Sequence, residues 1–359
     1  MSELSAKLQP PATKETTSVV SVTRAWYVAG TSKEVRTKPL ARTIMGIPMV
    51  LYRGQSGNVS IFLDRCPHRN VPLSLGRVEG DNLECSYHGW QFSTDGSCVK
   101  IPGLAGEISS RGKCAVAFQV REQDGYVWVW PDLEAAPDHE PYKLEFIGKK
   151  GYTTIRHMLE LEGSVHATIE NALDVPHTAF LHSGLFRKKS AGNKIEAIVR
   201  RRGQMVEAEF VGEPAPKGLM GRILAPQGGQ VEHYDRFLLP SIAQVEYRLG
   251  DKSHVLATSF CTPVSDFRTR LYGVVNICLP LPTWLLASFV KPIALAVLKQ
   301  DARILKAQSE TIRRFGGEQF ESTPIDVLGA QILRLLKEAQ RGERRDHPDE
   351  EIRRITLHL

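Results

Sequence analysis

Cys66-Pro67-His68 and Cys85-Ser86-Tyr87-His88, with sixteen residues between the two runs, decide the architecture of this 359-residue chain. The order C-x-H then C-x-x-H supplies the ligands of a Rieske [2Fe–2S] centre, in which two thiolates hold one iron and two imidazoles hold the other, raising the potential above that of an all-cysteine cluster. The competing reading is a structural zinc site. Zinc pairs typically place about two to four residues between the first two ligands and about three to five between closing histidines. The single-residue gap and the mixed composition of both pairs fit zinc poorly. Pro67 and Arg69 flank the first histidine and Gly89-Trp90 follow the second. Cys66, His68, Cys85 and His88 are therefore read as the ligands of an iron–sulfur cluster.

A cluster domain of about 100 residues leaves most of the chain unused, so two domains are expected. Hydrophobic content of 42% and charged content of 24% are ordinary for a globular protein. The net charge of +6 is mild and scattered, with local concentrations at Arg187-Lys188-Lys189 and Arg200-Arg201-Arg202. No dense basic stripe with interleaved aromatics is present, so no nucleic-acid partner is expected. A basic patch docking an acidic electron-transfer partner competes with simple solvated charge. The remaining cysteines, Cys98, Cys114, Cys261 and Cys278, are too few and too widely spaced for a disulfide framework. Residues 1–22 are polar, contain Pro10-Pro11, lack a basic-then-apolar leader and read as a flexible arm. A reducing cytoplasm is the expected compartment.

Short runs rich in Val, Ile and aromatics (Ala41–Tyr52, Val59–Leu63, Val116–Val120, Tyr126–Val129), broken by glycine turns, make residues 23–135 an all-β domain. Trp130-Pro131 and Asp132–Pro141 read as its exit linker. Within 136–335 the pattern predicts a helix over Met158–His182, then strands over Met205–Gly212, Gln244–Arg248, His254–Thr262 and Arg270–Leu279. A helix of roughly thirty residues follows from near Thr283, and 336–359 reads as a charged tail. The apolar stretch Leu279–Leu298 is interrupted by Pro280, Pro282, Lys291 and Pro292, which makes it a poor membrane span and leaves peripheral contact at most.

A second constellation lies in Glu170-Asn171-Ala172-Leu173-Asp174-Val175-Pro176-His177-Thr178-Ala179-Phe180-Leu181-His182. A mononuclear non-haem iron needs two imidazoles and one carboxylate on one face, with positions left open. Asp174 precedes His177 by three residues, which places both on one side of a helix. Pro176 should kink that helix and Ser183-Gly184 should end it, so that His182 swings back toward the same centre. For the third ligand, the long C-terminal helix offers Asp301 in the middle of an apolar face made by Ala294, Val297, Leu298, Ile304, Leu305 and Ile312. A carboxylate buried there is costly unless paired or metal-bound. A salt bridge to a buried arginine is the competing reading, and Asp251 and Asp266, in turn-like sequence, are weaker rivals. Glu170 and Asn171 are candidate helpers beside the iron, with helix capping as the competing role.

These residues resemble the oxygenase (α) component of the Rieske non-haem iron oxygenases, over about Arg24 to Arg314. Thr23-Arg24-Ala25-Trp26-Tyr27-Val28-Ala29, Cys66-Pro67-His68-Arg69-Asn70-Val71-Pro72-Leu73-Ser74 and Lys299-Gln300-Asp301 are similar to the vanillate O-demethylase and dicamba demethylase branch, although Gln300 stands where relatives often carry Glu. Respiratory Rieske proteins add a cysteine to each ligand loop, and these loops have none. The resemblance implies an α+β protein, with an N-terminal all-β Rieske domain and a C-terminal helix-grip (START/Bet v 1-like) catalytic domain. It implies mononuclear Fe(II) held by His177, His182 and Asp301, with O2 as co-substrate. It also implies a head-to-tail homotrimer in which Asp174 bridges a cluster histidine and an iron histidine of neighbouring subunits. No G-x-G-x-x-G fingerprint is present, so neither NAD nor flavin is expected on this chain, and a separate NAD(P)H-dependent reductase or ferredoxin should supply electrons.

The resemblance further implies hydroxylation or oxidative demethylation of a largely apolar ring compound (aromatic, sterol or polycyclic natural product) by a monooxygenase. The pocket is expected among the strands of 205–212, 244–262 and 270–279, with Val255, Ala257, Val274 and Val275 facing inward and Gly212–Gln230 as a lid. The alternative is a non-enzymatic electron carrier whose second domain docks partners. A ligand cup for transport or sensing is a third reading. Neither of these two needs the His177, His182 and Asp301 set.

Overall fold

Two Gly-containing turns set the first sheet. Met45-Gly46 and Asp124-Gly125 both have positive φ at successive positions (50° and 75°, 54° and 80°), the backbone of a two-residue hairpin whose twist matches its strands. The computed structural model describes residues 21–108, 113–182, 194–214, 231–250, 253–279, 283–343 and 348–358. The expected N-terminal arm (residues 1–20 of it), Ser183-Gly184, Asp251 and most of the expected lid lie outside them. The chain divides into two units, Thr23–Leu144 and Glu145–Leu359.

The first unit contains β1 (Tyr27–Thr31), β2 (Leu40–Ile44), β3 (Ile47–Arg53), β4 (Val59–Leu63), β5 (Arg77–Glu79), β6 (Asn82–Glu84), β7 (Gln91–Phe92), β8 (Cys98–Lys100), β9 (Ala117–Gln123) and β10 (Tyr126–Trp130). Six of them form an antiparallel sheet in the order β1-β10-β9-β4-β3-β2, and β5 to β8 form a second sheet of four. The run Ala41–Tyr52 is thus two strands rather than one, because Met45-Gly46 turns the chain. The expected linker also belongs to this unit. Trp26 Nε1 donates to His139 O at 2.7 Å, Trp130 Nε1 to Ala135 O at 2.9 Å, and Leu144 N to Asp124 Oδ2 at 2.8 Å. These bonds hold 132–144 against the strands and move the boundary from 135 to Leu144.

The second unit contains β11 (Thr153–Leu161), α1 (Val165–Leu173), α2 (Thr178–Leu181), β12 (Lys194–Arg202), β13 (Met205–Val211), β14 (Val231–Leu238), β15 (Ile242–Leu249), β16 (Ser253–Ser265), β17 (Arg268–Cys278), α3 (Thr283–Phe315), α4 (Gly329–Gln340) and β18 (Glu350–His358). Its eight strands form one antiparallel sheet in the order β11-β17-β16-β15-β14-β13-β12-β18. Two expectations are corrected here. Met158–Leu161 is strand, not helix, because β11 pairs along its whole length with β17. The helix begins only after Ser164, whose Oγ accepts the Ala167 N–H at 3.1 Å. The charged tail is structured: β18 pairs with β12, and its alternation buries Leu357 to 2% while Arg354 reaches Glu196 in solvent.

The helices cover the sheet face that carries Thr269, whose Oγ1 donates to Gly163 O at 2.9 Å, and Arg201, which pairs with Glu338 of α4. A Cβ on Gly163 would sit 3.3 Å from Leu305 Cβ, so α3 packs close to the turn leading into α1. Strand alternation puts Val255, Ala257 and Val275 on that face, since Ala257 lies opposite Val275. Val274 points to the other face, which corrects its expected inward position. That other face carries a cross-strand ion-pair ladder: Arg236 bonds both Glu207 and Glu246, and Glu246 also takes Arg248 at 2.8 Å and His254 at 2.9 Å. Despite burial, which would raise it, these partners hold the Glu246 carboxyl down at about 2. On α3 the buried stripe is Leu305, Ser309 and Ile312, and Ile304, expected within it, is 47% exposed. Among the described residues no helix is long and apolar enough to cross a membrane.

Candidate metal centres

The two ligand loops of the first unit share one backbone design. Cys66 N–H donates to Val71 O and Asn70 N–H to Cys66 O; Cys85 N–H donates to Trp90 O and Gly89 N–H to Cys85 O. In each loop the fourth residue after the cysteine is left-handed, Asn70 at φ 63° and Gly89 at φ 69°. Each loop therefore curls round its cysteine and projects its histidine from the same tip. Cys66 and Cys85 are buried, and burial, with Cys85 beside it, pushes the Cys66 thiol up to about 11. The His68 and His88 rings lie 4.6 Å apart at 61°, and Trp90 stacks on His68 at 4.6 Å and 6°. Two buried thiols and two outer imidazoles line one small hollow. Two thiols and two imidazoles round one hollow are the donor set of a Rieske two-iron cluster.

In the second unit the protein brings together His177, His182 and Asp301, whose donor atoms all lie within 4.8 Å of one another. His182 Nε2 is 3.1 Å from Asp301 Oδ1 and 3.3 Å from His177 Nε2, and His177 Nε2 is 3.7 Å from Asp301 Oδ1. Ligands at right angles on bonds of about 2.1 Å stand about 3 Å apart, so this spacing suits three adjacent positions on one ion. Asp301 Oδ1 is buried and, among the described residues, accepts no hydrogen bond. Burial raises the Asp301 carboxyl, opposed by the two histidines and by a hydrogen bond from Asn171. Its ion-pair partners are the histidines and not an arginine. A buried acceptor without a donor, facing two imidazoles, is a site for a cation.

The local backbone differs from the expected kinked helix. α1 ends at Leu173, Asp174 is extended at φ −92° and ψ 108°, and His177 sits just before α2. Pro176 breaks the helix rather than bending it, because proline drives the residue before it out of the helical region. Asp174 and His177 still meet: Asp174 Oδ2 accepts the His177 backbone N–H at 3.2 Å and lies 3.2 Å from its Nδ1. Burial works against protonation of His177, but Asp174 and then Asp301 raise its pKa overall.

Of the two candidate helpers, Asn171 hydrogen-bonds the Asp301 side chain, and Glu170 lies against Gly329. A Cβ on Gly329 would lie 2.0 Å from Glu170 Oε1, so that carboxylate rests on the start of α4 and favours its N-terminus. Burial raises the Glu170 carboxyl, Asp326 and Asp174 adding to the effect against His166. Asp266, the remaining rival ligand, is not part of the group. Two features escaped the sequence reading. Gln300 Oε1 stands 2.7 Å from His182 Nδ1, and His233 is stacked between Phe210 and Tyr247 in one cross-strand row. For the first, the sequence showed only a glutamine beside Asp301 where relatives often carry Glu, without its contact to His182, and for the second it held no signal.

Residues 25–117 match the Rieske [2Fe-2S] domain family, and residues 162–342 match the vanillate O-demethylase oxygenase C-terminal domain. The chain belongs to the vanillate O-demethylase oxygenase family. The vanillate O-demethylase oxygenase subunit of Pseudomonas sp. (strain HR199 / DSM 7063) is 34% identical over 341 residues, covering 87% of this chain and 93% of that protein. Protein TIC 55, chloroplastic, of Arabidopsis thaliana is 28% identical over 306 residues, covering 81% of this chain but 54% of that protein, so the chain spans about half the length of this relative. The crystal structure of dicamba monooxygenase bound to dicamba has the same fold, with a TM-score of 0.73 over 90% of this chain and 99% of that one at 22% identity. A member of this oxygenase family carries a Rieske domain as its first unit and a mixed, mostly stranded second unit. Membership favours the oxygenase over the bare electron carrier.

Proposed function

We propose that this protein is the terminal oxygenase component of a Rieske-type system, a monooxygenase that hydroxylates or oxidatively demethylates a largely apolar ring-containing substrate. The observation that carries the proposal is the convergence of His177, His182 and the buried Asp301 Oδ1, which accepts no hydrogen bond among the described residues, in a chain that also holds the two Rieske loops. Cys66, His68, Cys85 and His88 hold the cluster, and His177, His182 and Asp301 hold a mononuclear iron. When bound, these groups supply single-electron delivery and dioxygen activation.

The protein's own groups prepare that chemistry. Asp174 accepts the His177 backbone N–H and places its carboxylate 3.2 Å from the ring Nδ1, which supports a ring orientation with Nε2 toward the ion site. Asn171 steadies the Asp301 carboxylate. Val255, Ala257 and Val275 give the helix-covered face an apolar wall suited to a ring compound, whether aromatic, sterol or polycyclic. The sheet and α3 support a helix-grip arrangement. The family supports a head-to-tail homotrimer in which Asp174 is the electron-transfer bridge, a separate reductase or ferredoxin as electron source, and a cytoplasmic setting. The names of two relatives, a vanillate O-demethylase and a dicamba O-demethylase component, support aryl ethers as the first substrates to screen.

The test is iron and acid-labile sulfide per chain in anaerobically purified protein, with EPR after dithionite reduction. About three irons and two sulfides with a Rieske-type signal are expected. Two irons that no added ferrous salt can raise would return the protein to the electron-carrier reading.

A further inference from the structure

His182 is the most deeply buried of the three donors, its side chain 2% exposed, and consecutive residues of α3 address its two ring nitrogens. Asp301 Oδ1 lies 3.1 Å from Nε2, and Gln300 Oε1 lies 2.7 Å from Nδ1. A carbonyl oxygen at that distance accepts a hydrogen bond, so Nδ1 carries the proton and Nε2 carries the lone pair. The reverse amide orientation would donate to Nδ1 and leave a proton on Nε2, aimed at Asp301 and closing the ion site. The other imidazole has a different partner at the equivalent atom: Asp174, a carboxylate, stands 3.2 Å from His177 Nδ1. The two Nδ1 atoms therefore face different groups, a carboxylate at His177 and a neutral amide at His182.

We infer that Gln300 is a positioning residue, whose amide oxygen locks His182 in the Nδ1–H tautomer and turns its Nε2 toward the ion site. The inference rests on the proposed role of His182 as an iron ligand. An acceptor behind a ligand imidazole orients the ring and strengthens its donation, and an anionic acceptor does so more than a neutral one. Leucine at this position removes the acceptor at nearly constant volume, and glutamate makes it anionic.

Ferrous affinity of the mononuclear site in cluster-loaded protein, read by chelator competition, tests this alongside EPR of the ferrous nitrosyl adduct. Gln300→Leu should weaken ferrous binding by about 10–100-fold and broaden the nitrosyl signal, while Gln300→Glu should bind several-fold more tightly than wild type. The visible spectrum of the Rieske cluster reports folding in each variant. Wild-type affinity and an unchanged nitrosyl signal in Gln300→Leu would overturn the inference. Should that variant fail to fold, wild-type affinity in Gln300→Glu would overturn it instead. His182→Ala separates the two levels: if it retains iron as wild type does, the ligand assignment itself falls, whereas loss of iron there with no effect at Gln300 removes this inference alone.

Discussion

One carboxylate oxygen of Asp174, Oδ2, stands 3.2 Å from both the backbone nitrogen and the ring Nδ1 of His177. The contact depends on the break after Leu173: in a continuous helix the backbone N–H of His177 would bond to Leu173, four residues back, and would not reach a side chain. A single side chain thus fixes the position of the backbone and sets a negative charge beside the ring.

Asp174→Asn keeps the hydrogen-bonding shape and removes the charge. Iron and sulfide content should remain at wild-type level, while turnover with a surrogate reductase falls by about 10–100-fold or more. Turnover at the normal rate would remove the proposed bridging role.

The two cluster loops predict unequal tolerance at equivalent positions. Gly89 is left-handed at φ 69°, and a Cβ there would meet Pro102 Cγ at 3.0 Å. Gly89→Ala should cost about 1–2 kcal/mol and lower cluster content. Asn70→Gly relieves the same backbone conformation but loses the 2.8 Å bond from Arg65, and should stay within about 1 kcal/mol of wild type. Thermal unfolding followed by cluster absorbance compares them, and equal losses would mean that the loops are not equivalent.

Stability should depend on pH through His233. Burial alone would lower its pKa, but Asp235 and Glu213, at 3.0 and 2.7 Å, raise it to about 9. The folded value lies above the unfolded one of about 6.5, so the stabilisation is complete below about pH 6.5 and is lost as pH rises through about 9. Urea unfolding should show a loss on the order of 2–3 kcal/mol across that window, and His233→Gln should flatten it. A pH-independent wild type would show that the imidazolium is not stabilising.

The all-β first domain and the candidate cysteine and histidine donors were legible because they rest on short-range pattern. C-x-H with C-x-x-H, and His177 with His182 five residues on, report chemistry that needs those atoms close together whatever the fold. Asp301 was legible for a different reason, as a carboxylate where an apolar helical stripe left it no solvent. The reading failed where a strand shows only one face to the core. Glu350–His358 carries its charges on the solvent side of an edge and so read as a tail, and Met158–Leu161 read as helix because its apolar residues did not reveal the pairing with β17.

The candidate donors and the order of the two domains are written in the chain, since residue type and spacing are local properties. Which neighbours those donors keep depends on how distant elements pack. Gln300 comes behind His182 across 118 positions of sequence, Glu170 is turned to the start of α4, and Val274 faces away from Val275. Each of these outcomes is set by how α3, α4 and the strands dock. Docking follows from the burial of whole faces, to which a single polar residue contributes almost no local signal.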